Sequence, residues 1–221
     1  MNDVKDFTTV RIVFSKTGRA RYISHLDLNR TMSRAVRRAE LPIWYTEGFN
    51  KHPYLTFAAP LSLGYEGERE TMDLRLAGEM SFDELARRLD AVMPEGLHII
   101  SAGPAQHKAG LVDRAVYRLT LNCPATAVET LLAQPSITAQ KRTKKKELVT
   151  VDLRPVLDAA NSVITPCEAG ATWELTLPCN STQSVNPSLV IAALQAQADD
   201  DALTCSVRRL RVLMPDGSEF T

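Results

Sequence analysis

The stretch from Ser24 to Ala39 leaves the backbone little choice. Ser24 and Asp27 form an S-x-x-D capping signature, apolar residues recur behind it at helical spacing, and Pro42 closes the run. These limits predict a helix from Ser24 to Ala39. On such a helix Leu28, Met32, Ala35, Val36 and Ala39 share one face, while Arg30, Arg34, Arg37 and Arg38 share the opposite one. Ordinary solvated helix faces mix charges of both signs. Here only Asp27 and Glu40 stand against the four arginines, so the outer face is a directed positive stripe suited to an anionic partner.

The segments on either side of this helix extend the pattern. Thr17-Gly18-Arg19-Ala20-Arg21 adds two arginines and a glycine whose backbone amide can approach an anion. After the helix, Tyr45-Thr46-Glu47-Gly48-Phe49-Asn50-Lys51-His52-Pro53-Tyr54 carries strand-breaking Gly and Asn-Lys-His-Pro signals, which place its aromatic and basic side chains in a loop. Rings beside a basic helix suit base stacking next to phosphate contacts, with Lys51, His52 and Tyr54 as candidates. Phe49 and Phe57 are expected to fold back onto a hydrophobic cluster under the loop.

Charge elsewhere decides what kind of partner is possible. Lys plus Arg equals Asp plus Glu at 26 each, so no global field draws in a polyanion and any attraction must come from local segregation. That segregation exists: Arg19 to Glu40 holds six arginines against two acids, and Lys141, Arg142, Lys144, Lys145 and Lys146 fill five of six consecutive positions. The second cluster is expected at a hairpin tip, where it could extend a phosphate track. The first ten residues have no apolar signal core, and no long apolar run occurs, so a cytoplasmic protein is expected. Cys123, Cys167, Cys179 and Cys205 form no C-x-x-C pair, which argues against a metal or cluster site and marks them as small core residues on strands.

In chain order, Thr8–Phe14 alternates as a strand, the arginine helix follows, Pro42–Tyr45 is a short strand, and Glu70–Leu76 is another. Ser81 caps a helix reaching Met93, and Leu97–Ala102 is a strand. The second half repeats the order: strand Ala115–Asn122, helix Ala125–Ala133, strand Ser136–Lys141, strand Thr172–Leu177, helix Pro187–Ala198 and strand Leu203–Leu213. The expected class is therefore α+β, with two tandem ferredoxin-like (βαββαβ) sandwiches built on antiparallel sheets. They would occupy residues 1–103 and 111–221, joined by the linker from Pro104 to Gly110.

The chain has no glycine-rich nucleotide loop, no H-E-x-x-H, no G-x-S-x-G and no Cys–His nucleophile arrangement, and no cofactor or metal is expected. His25, beside Tyr22, is the one candidate general acid or base, although its helical position favours a packed, hydrogen-bonded ring under the following loop.

Three strings, Arg21-Tyr22-Ile23-Ser24-His25-Leu26-Asp27-Leu28, then Arg34-Ala35-x-Arg37-Arg38-Ala39-x-Leu41-Pro42, then Tyr45 through Pro53, together resemble a bacterial radical-SAM-linked domain family of unknown function. Lys141 to Pro155 resembles a second block of that family. Its members usually sit beside, or fused to the end of, a cobalamin-binding radical SAM protein, and the resemblance implies such a partner. The first two strings are also similar, more distantly, to ferredoxin-like endoribonucleases that process CRISPR repeats, which implies RNA as ligand class. This chain has no three-cysteine cluster motif, so it would assist a radical SAM enzyme rather than be one. The preferred reading is a non-catalytic module for structured RNA such as tRNA or rRNA. Its expected RNA contacts are Arg19, Arg21, Arg30, Arg34, Arg37, Arg38, Lys51, His52, Tyr54 and the Lys141–Lys146 bases. The alternatives are a metal-independent endoribonuclease using His25 and Tyr22, and a protein-interaction domain whose stripe meets an acidic surface.

Overall fold

The computed structural model describes residues 7–142, 146–200 and 202–221. The fold is α+β with antiparallel sheet, and the chain divides into two compact units, Met1–Val112 with Met214–Thr221, and Asp113–Leu213.

In the first unit the elements are β1 (Thr8–Lys16), α1 (His25–Arg38), β2 (Leu55–Phe57), β3 (Glu66–Leu76), α2 (Phe82–Asp90) and β4 (Leu97–Pro104). The strands lie in the order β4-β1-β3-β2, each pair antiparallel, with Val10 opposite Leu74 and Ile12 opposite Met72. Alternation decides which side is dry: Val10, Ile12 and Phe14 of β1 and Met72, Leu74 and Leu76 of β3 face one core. The apolar stripes of the two helices, Leu28, Met32, Ala35 and Val36 of α1 and Leu85 and Leu89 of α2, cover it. One glycine is indispensable to this packing. Gly96 has φ +83°, its carbonyl accepts from Thr17 N at 2.8 Å, and an added Cβ would lie 2.5 Å from the Thr17 carbonyl oxygen.

The second unit runs β5 (Arg114–Leu121), α3 (Ala125–Leu132), β6 (Thr138–Arg142), β7 (Leu148–Asp152), α4 (Arg154–Asp158), β8 (Val163–Cys167), β9 (Gly170–Pro178), α5 (Pro187–Ala198) and β10 (Cys205–Leu213). Its sheet has the order β10-β5-β9-β8, antiparallel, while β6 and β7, among the described residues, form a separate two-stranded sheet. Strict alternation on β9 buries Ala171, Trp173, Leu175 and Leu177.

Several expectations need correction. Pro42–Tyr45 forms only isolated bridges, Ile43 to Leu76 and Tyr45 to Pro53, and the strand that pairs with β3 is Leu55–Phe57. Ser136–Lys141 becomes β6 of a separate hairpin, and the strand beside β9 is Val163–Cys167, whose Pro166 and exposed pattern hide it from periodicity. Pro104 ends β4 instead of opening a linker. The last eight residues, which chain order assigns to the second half, group with the first unit. Of the cysteines only Cys123 is buried, and Cys167 is exposed. Cys205 is partly covered, and that burial, followed by the nearby Cys123, pushes its thiol up to about 12.

Candidate functional site

Helix α1 starts as its sequence dictates. Ser24 Oγ accepts from Asp27 N at 3.1 Å and donates to Asp27 Oδ2 at 2.7 Å. The helix stops at Glu40, which takes the left-handed conformation (φ 51°) so that Leu41 N reaches back to the Val36 carbonyl at 3.3 Å. Between these ends Arg30, Arg34, Arg37 and Arg38 are all exposed.

The four guanidinium groups differ in how far they are committed. Arg30 pairs with Asp27 Oδ1 at 3.0 Å. Ser24's hydroxyl, then Arg30, hold the Asp27 carboxyl below the ordinary range. Arg38 Nη2 donates to the Val92 carbonyl at 2.8 Å, which orders the side chain without neutralising it. Arg37 lies 5.8 Å from the Tyr45 ring centroid. Arg34 makes no hydrogen bond or ion pair among the described residues, and neither does exposed Arg19.

The turn before the helix is pinned from below, by a residue that sequence reasoning missed. Lys16, almost wholly buried, donates from Nζ to the Arg21 carbonyl at 3.1 Å, and Gly64 N donates to the same oxygen at 2.9 Å. Arg21 Nη2 in turn donates to the exposed Tyr22 hydroxyl at 2.7 Å. The Gly18 amide, a candidate for approaching an anion, is already occupied by Glu66 Oε1 at 2.8 Å.

The loop after the helix closes on itself. Thr46 N donates to the His52 carbonyl at 2.9 Å, and His52 Nδ1 lies 3.0 Å from the Asn50 carbonyl and 3.1 Å from Thr46 Oγ1. A carbonyl only accepts, so the contact with Asn50 is a hydrogen bond only with the proton on Nδ1. Lys51 and His52 are exposed. Phe49, expected under the loop, is instead fully exposed at its tip, whereas Phe57 packs against Phe14 and His25 as expected.

Tyr54 is drawn inward. Its ring centroid is 3.7 Å from the Arg75 guanidinium, which also contacts Phe7 at 4.0 Å and Trp44 at 5.0 Å, so a side chain from β3 fills the aromatic enclosure. His25 is exposed, its ring edge-on to Phe57 at 5.1 Å, and makes no hydrogen bond among the described residues; a satisfied, buried ring is not what the structure holds.

In the second unit, exposed Lys141 and Arg142 end β6 opposite Val149 and Leu148, and exposed Lys146 has φ 66°. Lys144 and Lys145 lie outside the described residues.

Among the described residues no group of three or more His, Cys, Asp or Glu could hold a metal ion, and no helix is long and apolar enough to cross a membrane. No curated protein matches the chain. A family described as uncharacterized protein conserved in bacteria (DUF2344) matches residues 9–187, from the start of β1 into α5 and so through all of α1 and the basic hairpin; the chain belongs to that family.

Proposed function

We propose that this chain is a non-catalytic binding module for structured RNA, and that it works as an accessory to a cobalamin-binding radical SAM enzyme that modifies RNA. The observation that carries the reading is the exposed side of α1. Arg30, Arg34, Arg37 and Arg38 stand together in solvent, opposed locally by Asp27 and Glu40 alone, of which Asp27 pairs with Arg30, on a chain whose net charge is zero. Guanidinium groups fork onto phosphate oxygens, and a row of them on a rigid helix holds its spacing without further ordering cost. The exposed bases of the β6–β7 hairpin supply a second basic element. The strand orders β4-β1-β3-β2 and β10-β5-β9-β8 support reading both units as ferredoxin-like, the second with β6, β7 and α4 inserted.

The experiment is RNA affinity as a function of salt for the full chain and for the Arg34→Ala/Arg37→Ala double variant. The expected result is uniformly weaker binding and a slope of log K against log salt reduced by roughly 0.7–0.9 per lost phosphate contact. An unchanged slope removes α1 from the phosphate site. Co-purification with the radical SAM protein, with and without ribonuclease treatment, tests the accessory role.

A further inference from the structure

Phe49 stands at 103% exposure on the tip of the loop that Thr46 and His52 close. At the other end of α1, Tyr22 is 64% exposed, with exposed Leu26 in the first turn of the helix and exposed Leu63 adjoining Gly64, whose amide holds the Arg21 carbonyl. Leu26, Arg30 and Arg37 fall in one row along the helix. The row ends at Tyr45, beneath Arg37, and Tyr45's bridge to Pro53 forms the base of the Phe49 loop. A solvent-exposed ring therefore stands at each end of a line of guanidinium groups.

Phosphate binding does not explain those rings, because an aromatic face offers nothing to an anion. A duplex does not explain them either, since its base faces are already stacked on one another. An unpaired strand presents both chemistries at once, charged backbone and free base faces. We infer that this face, taken as the RNA site proposed above, holds an unpaired RNA segment whose phosphates meet Arg34 and Arg37 while its bases stack on Phe49 and on Tyr22. The Arg21 guanidinium, 4.8 Å from the Tyr22 centroid and bonded to its hydroxyl, fixes that ring in place.

The test measures binding of oligouridine and of a blunt-ended GC-rich RNA duplex to the full chain at one fixed salt concentration. Oligouridine is expected to bind about tenfold more tightly or better, the scale of one or two stacked bases. Phe49→Ala should abolish most of that preference with no change in melting temperature, because the ring is fully exposed. Phe49→Trp should restore the preference, and its added fluorescence should be quenched by oligouridine. Equal affinity for the two RNAs, or an undiminished preference in Phe49→Ala, overturns the stacking inference while the RNA reading stands. Failure of both RNAs to bind overturns the reading and the inference together.

Discussion

Arg11 on β1 and Arg34 on α1 are the same residue type in opposite circumstances. Arg11 is 1% exposed and each of its three nitrogens is engaged: Nε and Nη2 fork onto Asp73 at 2.7 and 2.9 Å, Nη2 also reaches the His107 carbonyl at 2.6 Å, and Nη1 the Thr221 carbonyl at 3.4 Å. Phe220 closes over the plane at 3.9 Å. Arg75 on β3 is enclosed too, by three rings, with a buried Nε that has no hydrogen-bond partner among the described residues. The Arg34 side chain makes no hydrogen bond or ion pair among the described residues. The sheet's arginines are thus consumed in holding the first unit together, and the helix's arginines are held in reserve. A count of Arg per segment cannot separate the two; only the position of acids and rings distant in sequence does.

The largest expected effect is at the consumed end. Arg11→Met leaves the Asp73 carboxylate without its fork in a nearly closed site, and the loss of stability should be about 3–5 kcal/mol by chemical denaturation. Adding Asp73→Leu should return a large part of it, because the stranded charge is then gone. If Arg11→Met were neutral, the division between consumed and reserved arginines would fail at its clearest example. Arg75→Ala comes next, at about 2 kcal/mol, from the lost cation–π contacts and the emptied space between Phe7, Trp44 and Tyr54. The Arg34→Ala/Arg37→Ala variant should show the reverse profile: stability within about 0.5 kcal/mol of the parent, with the salt slope of RNA binding reduced.

This comparison also explains how much could be read from the chain. Helix α1, its Ser24 cap and its two faces were legible because capping and 3.6-residue periodicity are local, and the helix obeys both. The fate of Tyr54 was not legible, since its partner Arg75 lies on a strand reached only after the sheet forms. Phe49 misleads for a different reason. A phenylalanine is expected to be buried, and no local pattern marks one placed at the tip of a loop that closes through Thr46 and His52. The Gly18 amide likewise needed knowledge of Glu66, far along the chain. Strand β8 was missed because Val163–Cys167 shows neither alternation nor an apolar run, as expected for an edge strand carrying a proline.

The smallest expected effect falls on Arg30, which stands between the two conditions: exposed like Arg34, yet already paired with Asp27. Asp27→Asn keeps the Ser24 bond to the backbone amide of residue 27 and removes the competing charge, so Arg30 becomes available to a phosphate. RNA affinity should rise about two- to threefold at low salt, and the salt slope should steepen by up to roughly 0.9 if one further contact forms. The same substitution carries a signature in stability. Asp27's carboxyl is held below its ordinary range by Ser24 and Arg30, so its contribution is full above the pKa of the unfolded carboxyl and is lost as pH falls through the lower folded value. In Asp27→Asn that portion of the acid-side decline should vanish, leaving a slightly lower melting temperature near neutral pH, where the helix N-terminus has lost a negative charge. Unchanged RNA affinity, alongside the expected change in the acid limb, would place Arg30 outside the phosphate row and shorten the reserved set to Arg34, Arg37 and Arg38.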